Sequence, residues 1–382
     1  MVTYPKDWDV VQLGLKCDVT SSKRVFESEW SKHGIPFLRT RDIASFHAGE
    51  EQKDKLYISE KTYAEKIASS GIPQKGDLLV TGVGTIGLPY LIDTDDRIYF
   101  KDGNILWIKK NEDFFYPKWL YLLFLDKHIK QQITDYSGFT TVGTFTIKNA
   151  KKLSVPMPSV PEQKAIASAL SAFDTYIDSL TELIEKKRNI RDGALEDLVS
   201  GRTRLEGFAD EWIDGKIGDV LKILHGRNQR TVESYSGKYP ILGTGGVIGK
   251  ASEYLCNWEC VLIGRKGTID KPIYMNTPFW TIDTLYYSIP AENQCVKYQY
   301  YLFCTIDWYS YTESSGRPSL AKKVIESIPI RIPKYEEQVR IAETITAMDK
   351  EITNLEAERD KMMQIREGAM DDLLTGRVRL KV

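Results

Sequence analysis

Residues 158–205 read PSVPEQKAIASALSAFDTYIDSLTELIEKKRNIRDGALEDLVSGRTRL, and residues 333–380 read PKYEEQVRIAETITAMDKEITNLEAERDKMMQIREGAMDDLLTGRVRL. The two align without a gap at the offset that separates Gly201 from Gly376, and about 20 of the 48 positions are identical. An internal repeat of this length decides the architecture before any other feature is weighed.

Each copy has the periodicity of one long helix. Ile166, Leu170, Phe173, Ile177, Leu180 and Ile184 are spaced alternately by four and three residues, the seam of a heptad, and Ile341, Ile345, Met348, Ile352 and Leu355 repeat the pattern. Ser159 followed by Glu162 predicts a capping box with Pro161 in the first turn, and Gly201 and Gly376 stand where a left-handed stop is expected. Roughly forty residues at ~1.5 Å each make a rod of about 60 Å, longer than a compact domain needs. Long amphipathic helices serve as scaffold far more often than as catalysts, so the function is expected in the segments the rods connect.

A chain of 382 residues, 42% hydrophobic and 27% charged, is ordinary for a globular protein of two or more domains. The opening MVTYPKDWDV has no signal-peptide run, and no eighteen-residue apolar stretch follows, so a cytoplasmic location and no membrane partner are expected. Five cysteines (Cys17, Cys256, Cys260, Cys295, Cys304) are irregularly spaced, and none of the four histidines lies at a zinc-finger distance from them. Reduced structural thiols and no metal are expected. A formal net charge of −1 excludes the bulk basicity of a chain that grips nucleic acid unaided. Any nucleic-acid contact must come from local loops or from a partner's positive surface.

Between the rods lie two segments of short strands. In residues 1–157, IPFLRTRDI (35–43), GDLLVTGVGTIGLPYLI (76–92) and ILWIKK (105–110) read as strands between glycine and proline turns. WLYLLFLDKHIKQQI (119–133) reads as a helix, and SGFTTVGTF (137–145) as a polar turn. After the first rod (158–201) the chain starts again in residues 202–332. Trp212 answers Trp8, YPILGTGGVIG (239–249) answers IPFLRTRDI, and CVLIGRKGTIDKPIYM (260–275) answers the 76–92 segment. VKYQYYLFCTID (296–307) and ESSGRPSLAKK (313–323) answer the helix and the polar turn, and residues 333–382 form the second rod. The expected class is α+β: two globular domains and two long helices packed as an intramolecular antiparallel coiled coil, with pseudo-two-fold duplication. The rods have stayed alike while the domains have drifted, as a common scaffold with two different binding surfaces would; duplicated catalytic domains would share reactive residues.

GVGTIG (Gly82 to Gly87) has the spacing of a dinucleotide fingerprint, but Leu88-Pro89-Tyr90 continues as strand where a helix must open. GTGG (243–246) lacks the Lys-Ser/Thr ending of a phosphate loop. No paired carboxylates, Ser-His-Asp order or metal-ligand cluster recurs in both halves, and there is no Asn/Asp-Pro-Pro-aromatic tetrad, so catalysis is not expected. The remaining candidates are loop residues suited to base edges and phosphates. In the first domain these are Arg39, Arg41, Thr85, Thr140, Thr141 and Lys148. In the second they are Arg227, Asn228, Gln229, Thr244, Gly245, Gly246, Arg265, Lys266, Arg317 and Ser319. Arginine pairs bidentately with guanine, Asn or Gln with adenine, and glycine lets the backbone approach.

Pro158, Glu162-Gln163, Ile166-Ala167, Asp174 and Ile177, repeated as Pro333, Glu337-Gln338, Ile341-Ala342, Asp349 and Ile352, resemble the specificity subunit of type I restriction-modification systems. YPILGTGGVIG, GRKGTIDKP, PFWTIDTLYY and SSGRPSL resemble segments of that family's target-recognition domains, while IPFLRTRDI and SGFTTVGTF depart from them. The resemblance implies a non-catalytic chain whose two domains (1–157 and 202–332) each read half of a bipartite site on double-stranded DNA, spaced by the paired helices. It further implies two modification (methyltransferase) subunits that bind S-adenosylmethionine, restriction subunits that use ATP and magnesium, and no cofactor in this chain. The alternatives are a protein–protein scaffold without DNA specificity and an enzyme concealed in the GVGTIG domain. If rod length sets the spacing, inserting four residues mid-rod adds about 6 Å and lengthens the non-specific spacer by about two base pairs. Sequencing the methylated sites of the insertion strain checks this, and an unchanged spacer would contradict it.

Overall fold

The computed structural model describes residues 3–50, 52, 54–137, 143–312 and 318–381. The chain divides into two compact units, unit 1 of Met1–Ser179 with Arg359–Val382 and unit 2 of Leu180–Glu358. Both rods are single unbroken helices, Val160–Ser200 and Tyr335–Thr375. The division falls in the middle of both rods, so each unit holds one globular domain and half of each rod.

The rod halves are tied together by buried charge. In unit 1 Glu162, 4% exposed, accepts hydrogen bonds from the Trp8 indole (3.1 Å) and from Arg379 (Nε 2.5 Å, Nη2 3.0 Å), just past the end of the second rod. Farther along the first rod Asp174 accepts from Arg366 Nε at 2.7 Å. Partner numbers rise on one rod as they fall on the other, so the helices run antiparallel. Unit 2 repeats the arrangement: Glu337, 2% exposed, accepts from the Trp212 indole (3.2 Å) and from Arg204 (2.6 and 2.7 Å), and Asp349 pairs with Arg191 at 2.8 Å. Each arginine also lies 5.5 Å from the ring of its tryptophan.

The neighbouring glutamine ties the rod to its domain. Gln163 accepts from the Tyr116 N–H (2.8 Å) and donates to the carbonyls of Phe114 (2.8 Å) and Pro158 (2.9 Å). Gln338 accepts from the Cys295 N–H (3.0 Å) and donates to the Pro333 carbonyl (3.0 Å). The capping box is only half made. Ser159 Oγ accepts from the Glu162 N–H at 3.4 Å, but the Glu162 carboxylate turns away from the cap to the tryptophan and arginine. A pair of charged and indole donors outbids one backbone N–H for a buried carboxylate. The left-handed stops stand as expected, with φ 74° at Gly201 and 71° at Gly376.

In chain order, unit 1 contains β1 (Asp9–Gln12), β2 (Ile35–Leu38), α1 (Thr40–Ala48), β3 (Leu78–Thr81) and β4 (Pro89–Leu91). There follow β5 (Tyr99–Phe100), α2 (Pro117–Leu125), α3 (Lys127–Ser137) and β6 (Ser154–Met157). Unit 2 contains β7 (Ile213–Lys216), β8 (Tyr239–Gly243), β9 (Gly246–Ala251), β10 (Cys260–Gly264) and β11 (Ile273–Met275). It continues with β12 (Trp280–Thr281), α4 (Val296–Cys304) and β13 (Pro329–Ile332). The topologies correspond. An antiparallel ribbon closes each domain (β1 with β6, β7 with β13), and each domain has a four-stranded sheet that contains a hairpin (β3–β4, β10–β11). A parallel pair forms a second layer (β2 with β5, β8 with β12). GVGTIG is thus the turn of a hairpin, with Gly84 (φ 73°) matched by Gly267 (φ 86°), and no helix opens after it.

Two local readings differ from the sequence expectation. The segment 119–133 is not one helix: Asp126 is extended (φ −68°, ψ 140°), and its buried carboxylate accepts from the N–H groups of His128 (2.8 Å) and Ile129 (3.3 Å), ending α2 and capping α3. In addition, the strand expected over residues 35–43 ends at Leu38. Asp42 accepts from the Arg39 N–H at 2.7 Å and starts α1 where unit 2 turns back into β9.

The rods contribute to each domain's core instead of standing clear of it. In unit 1, Ile166, Leu170, Leu373 and Leu374 are buried with Trp8, Trp119 and Phe124; in unit 2, Leu195, Leu198, Ile341 and Ile345 are buried with Trp212, Tyr298 and Phe303. Each such side chain contributes about 1.5–3 kcal/mol through burial. All five cysteines are free thiols, as expected, and Cys256 and Cys260 approach to 3.8 Å between sulfurs inside the second domain. Glu337→Ala removes the acceptor shared by Arg204 and Trp212 and should lower the unfolding free energy of the full chain by about 2–4 kcal/mol. Denaturant titration measures it, and an unchanged midpoint would show that the clamp is not structural.

Candidate nucleic-acid interface

In unit 2 one short segment, 281–284, gathers candidates from separate loops. Gly226 passes so close that an added Cβ would lie 1.9 Å from the Ile282 carbonyl oxygen, so only glycine fits. Next to it, Arg227 donates its N–H to the Thr281 carbonyl (2.8 Å), while its own carbonyl accepts from the Trp280 indole (3.0 Å). On the other side Arg265 donates its N–H to Thr284 O (2.9 Å) and its guanidinium to Asp283 O (3.2 Å). The 265–267 loop is stitched to the 318–320 segment by Gly267 N–H to Pro318 O (3.1 Å), Leu320 N–H to Arg265 O (2.9 Å) and a Lys266–Ser319 bridge. A Cβ on Gly267 would lie 3.6 Å from Thr244 Oγ1, which puts the β8–β9 turn with Gly245 and Gly246 beside the same loop.

Arg227, Thr244, Gly245, Gly246, Arg265, Lys266 and Ser319 therefore share one rim. The side chains of Arg227 and Lys266 form no ion pair among the described residues. Asn228 is exposed, but its amide oxygen accepts from the Arg230 N–H (2.9 Å), and Gln229 carries the turn into residues 232–233 through its carbonyl. Arg317 lies outside the described residues. The anchor segment itself, Thr281 to Thr284 within PFWTIDTLYY, acts through backbone carbonyls, which the sequence does not display as a side-chain motif.

Unit 1 assembles its candidates differently. Phe145 N–H donates to Gly82 O (2.8 Å) and Gly82 N–H to Asn104 O (2.7 Å), so the loop bearing Thr85 lies against the segment leading to Lys148. Thr85 and Lys148 are exposed there, and Thr140 and Thr141 lie outside the described residues. Arg39 is committed inward: its guanidinium donates to both Asp42 oxygens at 2.8 Å and to the Asp54 carbonyl at 2.6 Å. Arg41 is 60% exposed and held only by long ion pairs, 3.7 Å to Asp54 and 4.0 Å to Asp42. The two arginines border an open cavity of about 510 Å³ that Asp42, Glu50 and Asp54 also line, so its charge is mixed. Elsewhere in unit 1, Asp126, His128 and Asp371 bring ligand atoms within 4.8 Å of one another. Asp371 is already neutralised by Lys127 (2.9 Å) and Arg377, which hold its carboxyl below the usual range, and Asp126 is the cap of α3.

Residues 5–188 and 209–362 match the family model described as Type I restriction modification DNA specificity domain. The chain belongs to this family. It is 25% identical over 423 residues to a putative type I restriction enzyme MjaX specificity subunit of Methanocaldococcus jannaschii, covering 99% of this chain and 95% of that one. A putative specificity subunit of Haemophilus influenzae is 32% identical over 174 residues, 45% of this chain and 42% of the relative. In fold the chain resembles the crystal structure of a type I restriction-modification S subunit from M. genitalium, with a TM-score of 0.59, 18% identity and coverage of 97% and 96%. It resembles the HsdS subunit from Thermoanaerobacter tengcongensis with a TM-score of 0.57, 16% identity and coverage of 98% of both chains.

The protein is thus a DNA sequence-recognition subunit of a type I restriction-modification assembly, a targeting chain and not a catalytic one, working with other subunits of that assembly and with DNA. The scaffold without DNA specificity gains no support from these matches. No helix among the described residues is long and apolar enough to cross a membrane. The two arginines of unit 1 should separate on substitution. Arg39→Ala costs about 1 kcal/mol of stability by loosening the start of α1, whereas Arg41→Ala leaves stability unchanged and weakens DNA binding by the full assembly. Thermal melts paired with DNA titrations test the split, which fails if both variants melt alike.

Proposed function

We propose that each unit reads one half of a bipartite DNA site, unit 2 through the Arg227, Arg265 and Lys266 rim and unit 1 through the loops bearing Arg41, Thr85 and Lys148. Two modification subunits, carrying S-adenosylmethionine and the methyl-transfer chemistry, seat on the rods and enclose the DNA. Restriction subunits that use ATP and magnesium complete the assembly. The observation that carries the reading is the contrast between shared strands and unlike edges: β2–β5 and β8–β12 correspond, yet one is followed by α1 and the other by β9. A common framework with different exposed edges gives two readers of different sequence. A net charge of −1 agrees with DNA being held jointly with partners.

The test is a chimera in which residues 202–332 are replaced by the corresponding segment of a relative with a known site. Methylation-sensitive sequencing of the strain should show one half of the recognised sequence exchanged and the other retained. Exchange of both halves, or of neither, would overturn the division of labour.

A further inference from the structure

The β8–β9 hairpin contains an irregularity that aims one side chain. Ile241 pairs with Gly249 and Leu242 with Val247, so Ile248 is the extra residue of a β-bulge. β9 is the edge of its three-stranded sheet, and Ile248 is 52% exposed on it. A bulge on an edge strand re-aims a side chain that regular pleating would have placed elsewhere. Here the isoleucine leans over Gly243: a Cβ at that position would lie 3.5 Å from Ile248 Cγ2 and 3.5 Å from Ile282 Cδ1. Ile282 belongs to the 281–284 segment that anchors Arg227 on one side and Arg265 on the other. A branched apolar side chain is thus held out by a bulge, on glycine, within the rim of guanidinium groups.

Folding does not require this exposure, and the flanking cations suit phosphate better than an apolar protein surface. The apolar feature that a base pair offers in the major groove is the thymine C5 methyl group. We infer that Ile248 is a specificity-determining residue of unit 2, making van der Waals contact with a thymine methyl in the half-site that unit 2 reads. The inference rests on the proposal that unit 2 reads a half-site, and it adds that this half-site contains a thymine recognised by its methyl group.

The test uses the full-length chain with its co-purified partner subunits and a duplex carrying the methylated site, the half-site of unit 2 being assigned by the chimera. Each thymine of that half-site is replaced in turn by deoxyuridine, which removes only the methyl group. One replacement should weaken binding by about fourfold, the worth of one buried methyl, and Ile248→Ala should bind both duplexes equally, with Ile248→Val in between. The inference is overturned if the half-site has no thymine, if deoxyuridine is silent at every position, or if Ile248→Ala still distinguishes the duplexes. If binding ignores every base change in that half-site, the reading of unit 2 as a DNA reader falls first, and this inference with it.

Discussion

A carboxylate taken out of water must be met by charge and by hydrogen-bond donors, and the fold is arranged around two that are. Glu162 and Glu337 are almost wholly buried at the starts of the rods, each between an indole N–H and the fork of an arginine from the end of the opposite rod. Either ion without its partner would be costly in that position. The clamp therefore requires both repeats: in unit 1 it joins residues 162 and 379, in unit 2 residues 204 and 337. The adjacent Gln163 and Gln338, with amides bonded on both sides to backbone groups, fix where each domain meets its rod. Register, direction and domain attachment all follow from a Glu-Gln pair used twice.

This explains why the rods have remained alike while the domains have not. Each identical residue at the rod starts answers to something buried: Ile166 and Ala167 to the first core, Ile341 and Ala342 to the second, the glutamates to the clamps. A change at any of them removes several interactions together. At the edge of the β8–β12 layer the constraint lapses, because the outer side of β9 meets residues 233–234 only at Lys250 and Ala251 among the described residues, and an insertion, a helix or a bulge nearer the turn disturbs little packing. Drift concentrates where the fold permits it.

The rods, their stops and the order of the strands were legible because periodicity and glycine punctuation are local properties of a chain. The clamp was not: Ser159 and Glu162 have the spacing of a capping box, and only the distant Trp8 and Arg379 reveal that the carboxylate goes elsewhere. The break at Asp126 was hidden for a related reason, since an apolar run such as WLYLLFL reads as continuous helix until a buried aspartate caps the next one. Candidate site residues were legible as residue types but not as a constellation. Arg39 and Arg227 look alike in sequence, yet one is tied to Asp42 and Asp54 and the other stands at the rim.

That difference bears on how a chain with no net basicity meets DNA. Each phosphate neutralised by a fixed cation releases counterions and steepens the salt dependence of binding by about one unit of slope. With Arg39 engaged internally and Arg41 drawn toward two carboxylates, unit 1 has fewer cations free for phosphate than its sequence implies. Under the proposed reading, part of the affinity that comes from phosphate contacts is supplied by partner subunits, while this chain contributes discrimination through base edges and shape. On that reading the edges of this chain can change while the partners' share of the electrostatic attraction stays the same.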